Sequence, residues 1–516
     1  MPEARLELST DPSQLPSLKA ALEGQRAVPG DCKPSLITSI YYDSPDRKLH
    51  RHGLSLCVEQ HDARRVQILR RVDPAAYNSQ WRDIITSDGP DPSAPETGAR
   101  LRGLIDNELR PLCRTRVRRT CLTLDVEPAV EIAATLDEGE VSTVVGGTTE
   151  PLCDLDLDMT EGDPAVLFDV ALQLLDAAPL RIKTPGNAER GYRLLGDVIE
   201  AVTAEPLTLV PSMTVETVLQ TTCRECLWHL LHNEGAALAG NAEAIHQMRV
   251  AVRRLRAALT AVRSMLPAKQ FQWLKDELKW FASSLGPARD WDVFAMSLLA
   301  PVRTVPQTGS DLDNLAEAAK QRQQAAYEAA RTAIGSRRYT EAMLKTVRWF
   351  ETHGWRDQLV SEHSALLFSS IAAIAPSLIE RRWRQAMKRC KHFVALSQDE
   401  RHQVRIALKN LRYMIEFLGS LFDPASVKAL MKRLKGLQED LGYLNDVRTA
   451  QGLIRKLAWS AEHEVTDVGL AAGLVIGWHL RELTNVEAKL CEDVRRFRKA
   501  KPFWRPGTFA PAASTA

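Results

Sequence analysis

Residues 244–259 read AIHQMRVAVRRLRAAL, and a second segment beginning at Glu400 reads ERHQVRIALKNLRYMIEFL. His402, Arg405, Lys409 and Arg412 each lie 156 residues after His246, Arg249, Arg253 and Arg256. The apolar positions Met248, Val252, Leu255 and Leu259 return at the same offset as Val404, Leu408, Leu411 and Ile415. It also joins LGPARDWDV, from Leu285, to LGYLNDV, from Leu441, matching Gly286 with Gly442 and Asp290 with Asp446. Four features in one register are a duplication, so this part of the chain must fold as two similar halves.

At 3.6 residues per turn the repeated segments are amphipathic helices, with the apolar positions on one face and the His/Arg/Lys positions on a neighbouring one. For one helix the bland reading is a solvated charged face. Two copies change that reading, because two similar bundles bring both cationic faces together across a pseudo-twofold axis and focus their field. RRWRQAMKRCKHF, from Arg381, adds Arg384, Lys388 and Lys391 with no acid inside it, and KALMKRLKGL adds Lys428, Lys432 and Lys435. Arginine offers a planar fork and lysine a mobile point charge, a mixture suited to a flexible phosphate chain. Arg254 adds to the set, but its counterpart is Asn410, so the halves differ there. The basic helices lack interleaved aromatics for base stacking, which disfavours nucleic acid.

A chain of 516 residues is too long for one core and implies at least two domains. A net charge of +2 excludes nothing, so basic residues are judged locally. Nine cysteines lack a framework spacing and MPEARLELST has no leader pattern, which suggests a reducing, cytoplasmic setting. Cys223 and Cys226 form a C-x-x-C without a second ligand pair, and core packing is favoured over metal or redox use. VGLAAGLVIGW, from Val468, is too short to span a bilayer and is expected to be a buried helix.

Before residue 205 the texture is different. SLITSIYYDS, GLSLCVEQ, RTRVRRTCLTLDVE, AVEIAATLD and LCDLDLDMT alternate as strands do, which predicts an antiparallel sheet closed into a barrel, with helices near 15–22 and 165–174. Arg114, Arg116 and Arg118 share one strand face, as do Asp154, Asp156 and Asp158. The expected fold class is α+β multidomain: residues 1–200 form a β tunnel, 201–215 a linker, 216–506 a helical domain and 507–516 a disordered tail. The repeat copies fall near 216–300 and 365–500, separated by a loop, APVRTVPQTGSDLDN.

The repeated motifs resemble the paired signatures of the CHAD family, all-α domains of two pseudo-symmetric four-helix bundles. The resemblance implies binding of inorganic polyphosphate on a basic central surface, association with polyphosphate granules, and no cofactor for binding. Carried over by position, the contacts are His246, Arg249, Arg253, Arg254 and Arg256 with His402, Arg405, Lys409 and Arg412. The neighbouring Arg384, Lys388, Lys391, Lys432 and Lys435 are added from the charge clustering. The two histidines either cap or pack at their helix starts, or bond phosphate more strongly when protonated. Asp290, Asp292 and Asp446 are read as structural partners of arginines rather than metal ligands. No nucleophile accompanies the cations, so binding is favoured over catalysis.

YYDSPDRKLHRHGLSL, RTRVRRT, EPLCDLDLDMTEGDPAVLFDVALQLL and AERGYRLL resemble the CYTH, or triphosphate tunnel, family, often fused to CHAD. That resemblance implies an eight-stranded tunnel in which carboxylates hold Mg²⁺ or Mn²⁺ and cations grip a triphosphate. The pattern is altered at Arg5, Glu7, Cys57, Glu59 and Asn187, and Arg70 stands where lysine is usual. Several cations of the clamp are missing, so a degenerate module that scaffolds, dimerises or modulates the helical domain is expected. The alternative is a metal-dependent triphosphate or polyphosphate hydrolase fed by the helical domain. Mg or Mn matters only in that case. Self-association is left open, and no membrane partner is expected.

Overall fold

The computed structural model describes residues 4–25, 27–29, 34–73, 76–102, 104–105, 108–126, 130–183, 186–196, 200–305, 311–460 and 465–504. The tail after Pro506 therefore lies outside the described residues. Two compact units result. One comprises Met1–Ala201, Leu231–Ala239 and Ile334–Gly354; the other comprises Val202–Leu230, Gly240–Ala333 and Trp355–Ala516.

The first unit is built on ten antiparallel strands: β1 (Ala4–Ser9), β2 (Ala27–Pro29), β3 (Ser35–Asp43), β4 (Leu54–His61), β5 (Arg64–Asp73), β6 (Ala76–Ile85), β7 (Arg110–Val126), β8 (Val130–Thr143), β9 (Thr149–Met159) and β10 (Arg181–Ile182). Their order is β10-β1-β9-β8-β7-β3-β4-β5-β6, with β2 paired to β7. Among the described residues this ladder ends at β6 and β10 and is not closed by hydrogen bonds, unlike the expected barrel. The wall nevertheless curls. Six strand spacings separate β1 from β5, roughly 29 Å in a flat sheet, yet Arg70 on β5 lies 3.9 Å from Glu7 on β1.

The strand period of two explains how one sequence stretch serves two environments. On β9, Cys153, Leu155, Leu157 and Met159 are buried, and the Pro164–Ala177 helix packs on that strand. Asp154, Asp156 and Asp158 alternate with them and face the inner side. The helix buries Leu167, Phe168, Val170, Ala171 and Leu174, and Asp163 caps it by accepting from the Ala165 N–H. At the β7–β8 pair, Gly139 is required by space, since an added Cβ would lie 2.0 Å from the Arg116 carbonyl oxygen. The later segments of this unit pack locally: the Arg337–Glu351 helix lies on the Pro164–Ala177 helix with Arg348 3.0 Å from Asp169, and Tyr339 donates to buried Glu234.

The second unit is all-α. Helices Val215–Leu231, Ala242–Ala261, Ala268–Ser284 and Asp311–Ile334 are followed by Ile371–Arg389, Gln398–Leu418, Pro424–Ser460 and Val465–Arg498. The first three starts recur 156 residues later, so the duplication read from side chains is also one of helices. The halves differ where Leu285 separates Ala268–Ser284 from Gly286–Val293, while Pro424–Ser460 runs unbroken. Met248, Val252, Leu255 and Leu259, with Val404, Leu408, Leu411 and Ile415, are all buried.

Two local expectations are corrected. The stretch between the repeats is not simply a loop, because Ala300–Arg303 and the residues from Asp311 are helical; 306–310 lie outside the described residues. The apolar run from Val468 is only half buried: Val475 is buried, whereas Leu470, Leu474 and Trp478 are exposed by 68%, 43% and 44%. No described helix is long and apolar enough to cross a membrane. Cys223 and Cys226 are buried free thiols, and Cys121 is disulfide-bonded, which departs from an all-thiol chain.

Candidate functional site

The Ala242–Ala261 helix is capped by Asn241, whose side chain accepts from the N–H groups of Glu243 and Ala244. The Gln398–Leu418 helix is capped by Ser397 in a capping box with Glu400. Neither His246 nor His402 is therefore a cap. Both stand inside their helices, one turn before the arginines that follow them.

These helices pack on each other, and Arg253 Nε donates to the Tyr413 hydroxyl at 3.3 Å. Around that bond the charges are mostly of one sign. Burial pushes the Lys409 ammonium down to about 6, helped by Arg253, Arg405 and Arg412 and opposed by Asp446. His246 is pushed down to about 3 by burial, Arg289, Arg253, Lys409 and Arg249, so its imidazole is neutral in the free protein. The sequence expectation of a protonated histidine on phosphate does not suit His246 in this state. Arg249 and Arg405 are also shifted down, by burial first and by Arg253 among others. The buried nitrogens His246 Nδ1, Arg249 Nε and Arg405 Nε have no hydrogen-bond partner. Buried guanidinium N–H groups without a partner are costly, and Arg249 and Arg405 each carry one here.

Gly286 belongs to this geometry. A Cβ there would stand 2.9 Å from Arg249 Nη1, which donates to the Ala282 carbonyl at 3.2 Å. Asp290 and Asp446 supply partial compensation: burial raises both, while Arg249 acts on Asp290 and Arg405 on Asp446. Asp292 is different, fully buried and accepting from Gln323 at 2.8 Å and Tyr327 at 3.0 Å, a structural acid without an arginine partner in contact. His402 Nδ1 is 2.8 Å from Asn445 Oδ1.

The structure thus brings together His246, Arg249, Arg253, Arg405, Lys409 and Arg412. Arg412 is also paired with Glu416 at 3.1 Å, which closes that end of the cationic row. Arg256 stays half-buried, its pKa lowered by burial alone. Arg254 is not on this surface: it is 4% exposed, 3.1 Å from Glu225, and stacked over Phe417. Its missing counterpart at Asn410 marks a core ion pair, not an uneven lining. Arg384 is exposed and pairs with Glu380 at 2.6 Å, and Lys388, Lys391, Lys432 and Lys435 are exposed. Arg289, which acts on His246, Asp290 and Asp446, was missed; its signal was the cation inside LGPARDWDV.

The inner face of the sheet is ionic but internally neutralised. Arg5 lies 2.7 Å from Asp156, 3.6 Å from Asp158 and 2.9 Å from Glu7; Asp154 is held by Lys183 at 2.6 Å and Arg190 at 3.0 Å. Arg119 bridges Asp137 at 2.8 Å and Glu59 at 3.5 Å. Cations are not short on this face: Arg5, Arg70, Arg119, Lys183 and Arg190 meet its acids. Arg114, Arg116 and Arg118 do share a face, but it is the exposed one, because register puts Arg119 and the acids on the other. Each of these carboxylates has a lysine or arginine within 4 Å, although Asp156 Oδ1 and Asp158 Oδ1 are buried without a hydrogen-bond partner. Among the described residues no group of three metal-ligating side chains forms.

A bundle pair with this repeated basic seam defines the class: the helical part is a CHAD domain, and residues 221–455 match that family. The solved CHAD domain of the plant Ricinus communis is similar at 29% identity and a TM-score of 0.51, covering 59% of this chain and 98% of that one. An uncharacterised Mycobacterium tuberculosis protein is 28% identical over 288 residues, 52% of this chain and 51% of its own. The chain spans about half the length of the curated relatives it matches. Other solved structures with some similarity include a Hippeastrum protein proposed as an adenylyl cyclase and described as showing a dominant triphosphatase activity. It is 15% identical with a TM-score of 0.27, covering 36% of this chain and 94% of that one.

Proposed function

We propose that the protein binds inorganic polyphosphate along the seam between the two repeats and, through it, associates with polyphosphate granules. The carrying observation is the cluster of Arg249, Arg253, Arg405 and Lys409 beside His246, only partly compensated by Asp290 and Asp446, where burial and then the neighbouring arginines lower Lys409 to about 6. A chain of phosphates relieves that repulsion, and counterion release makes binding salt-sensitive. Asp290 and Asp446 offset part of the charge of Arg249 and Arg405. No cofactor is needed for this binding.

The hydrolase reading draws less support. Positions that would hold Mg²⁺ or Mn²⁺ and clamp a triphosphate are engaged with one another, so ligand entry must first break several ion pairs in a poorly solvated interior. Fluorescence titration with polyphosphate, run beside a triphosphatase assay containing Mn²⁺, separates the readings. Tight binding without turnover supports the binder; turnover comparable to binding-limited encounter contradicts it.

A further inference from the structure

A cavity of about 220 Å³ opens beside the second repeat, in the all-α unit. Leu441, Leu444, Val447, Leu480 and Leu483 form its apolar side; Arg401, His402, Asn445 and Arg448, with the acid Glu487, are on its polar side. The duplication shows what the space is shaped for. At the offset of 156, Val447 corresponds to Trp291, Leu483 to Tyr327, Arg448 to Asp292 and Asn445 to Arg289. The starts of the first three helices keep this offset, and Asp292 contacts Tyr327 as Arg448 and Leu483 line one cavity.

In the first repeat the space is taken by the chain's own rings. Trp291 and Tyr327 are buried, and the Tyr327 hydroxyl donates to both oxygens of Asp292 at 3.0 Å. In the second repeat both rings are aliphatic, and the acceptor at the ring's polar edge has become a cation. An aromatic volume is retained while the charge at its edge is reversed. A substituted ring fits, since a cavity of about 150 Å³ takes benzene. Arg448 can turn to such a ligand because its present partner, Asp399, is 84% exposed, and surface pairs of this kind hold weakly. Arg401 is more firmly engaged, 2.5 Å from Glu487.

We propose that this cavity binds a small aromatic anion, a ring bearing a phosphate or carboxylate that meets Arg448. The ring takes the place that Trp291 and Tyr327 fill in the first repeat, and the anion takes the place of the Asp292 interaction with its sign inverted. The inference is independent of the polyphosphate reading.

Calorimetry on the full chain with phenyl phosphate and with benzoate tests it, inorganic phosphate serving as the ring-free control. Saturable binding of either probe is expected, phenyl phosphate and benzoate telling phosphate from carboxylate recognition. Val447→Trp and Leu483→Tyr, which restore the first repeat's rings, should each weaken it at least tenfold, and Arg448→Gln about tenfold, all without changing polyphosphate binding. Leu483→Tyr, at a half-buried position, decides the matter if Val447→Trp does not fold. Absence of saturable binding by both probes, binding unaffected by the ring-restoring variants, or inorganic phosphate binding as tightly as phenyl phosphate each overturns the proposal.

Discussion

Arg253 Nε donates to the Tyr413 hydroxyl at 3.3 Å, a bond between the two repeats made by residues 160 positions apart. It holds a guanidinium where Lys409, Arg405 and Arg249 already crowd it. Tyr413→Phe removes that restraint while keeping the buried ring. A hydrogen bond from a charged donor is worth about 1.5 kcal/mol or more, so polyphosphate affinity should fall roughly tenfold in calorimetry. An unchanged affinity would mean that Arg253 needs no positioning.

Proton linkage follows from Lys409. In the free protein its ammonium is held near about 6, so near pH 8 it is neutral, and a bound polyanion favours the charged form. Binding should therefore take up a proton, with affinity rising as pH falls from 8 to 6 and levelling below. Lys409→Arg should flatten that profile. For folding the sign is opposite to that of a paired lysine: between about 6 and the unfolded value near ~10.5 the unfolded chain holds a proton that the folded chain lacks. Stability contributed here rises with pH across that window. Lys409→Met should raise Tm at pH 7 while weakening polyphosphate binding; a lowered Tm would contradict this.

Arg254 separates fold from function. Its ion pair with Glu225 is buried on both sides, at 5% and 4% side-chain exposure. Removing one partner of a buried pair typically costs about 3–5 kcal/mol, so Arg254→Ala should lower the denaturation midpoint sharply. At a temperature where the variant is folded, polyphosphate affinity should stay within about twofold, well inside the effect of losing a direct charged contact. A loss equal to that of Arg253→Glu would return Arg254 to the surface.

These cases show why some of the site was legible in sequence and some was not. The repeat carried the architecture because His/Arg/Lys and apolar positions share one offset, and helices impose fixed faces on such a pattern. Periodicity cannot say which neighbour a flanking arginine finds, so Arg253 and Arg254, adjacent in sequence, looked alike until packing sent one to Tyr413 and the other to Glu225. In the sheet, alternation was read correctly on each strand. The relation between strands is not legible in the sequence, because whether the arginines of β7 face the acids of β9 depends on register, and a one-residue difference reverses it. The curl that brings Arg70 to Glu7 is likewise a product of several strands and leaves no local signature.

The neutralised inner face of the sheet predicts a negative result of defined kind. Triphosphate with Mg²⁺ or Mn²⁺ should not turn over above a boiled control, and Glu7→Lys alone should not create activity. Asp154 would still be held by Lys183 and Arg190, and Asp156 by Arg5. Metal-dependent turnover in the wild-type protein, lost on Asp156→Asn, would show that these pairs open for substrate.

The most direct test of the basic seam is polyphosphate affinity measured across a series of salt concentrations for the wild-type chain and for Arg253→Glu with Lys409→Glu. The wild type should bind with a steep inverse dependence on salt. The double variant should lose at least a hundredfold at low salt, on the scale of two charge-assisted contacts at about 1.5–3 kcal/mol each, with a shallower slope. An unchanged affinity and slope would place the phosphate chain elsewhere on the molecule and contradict the account.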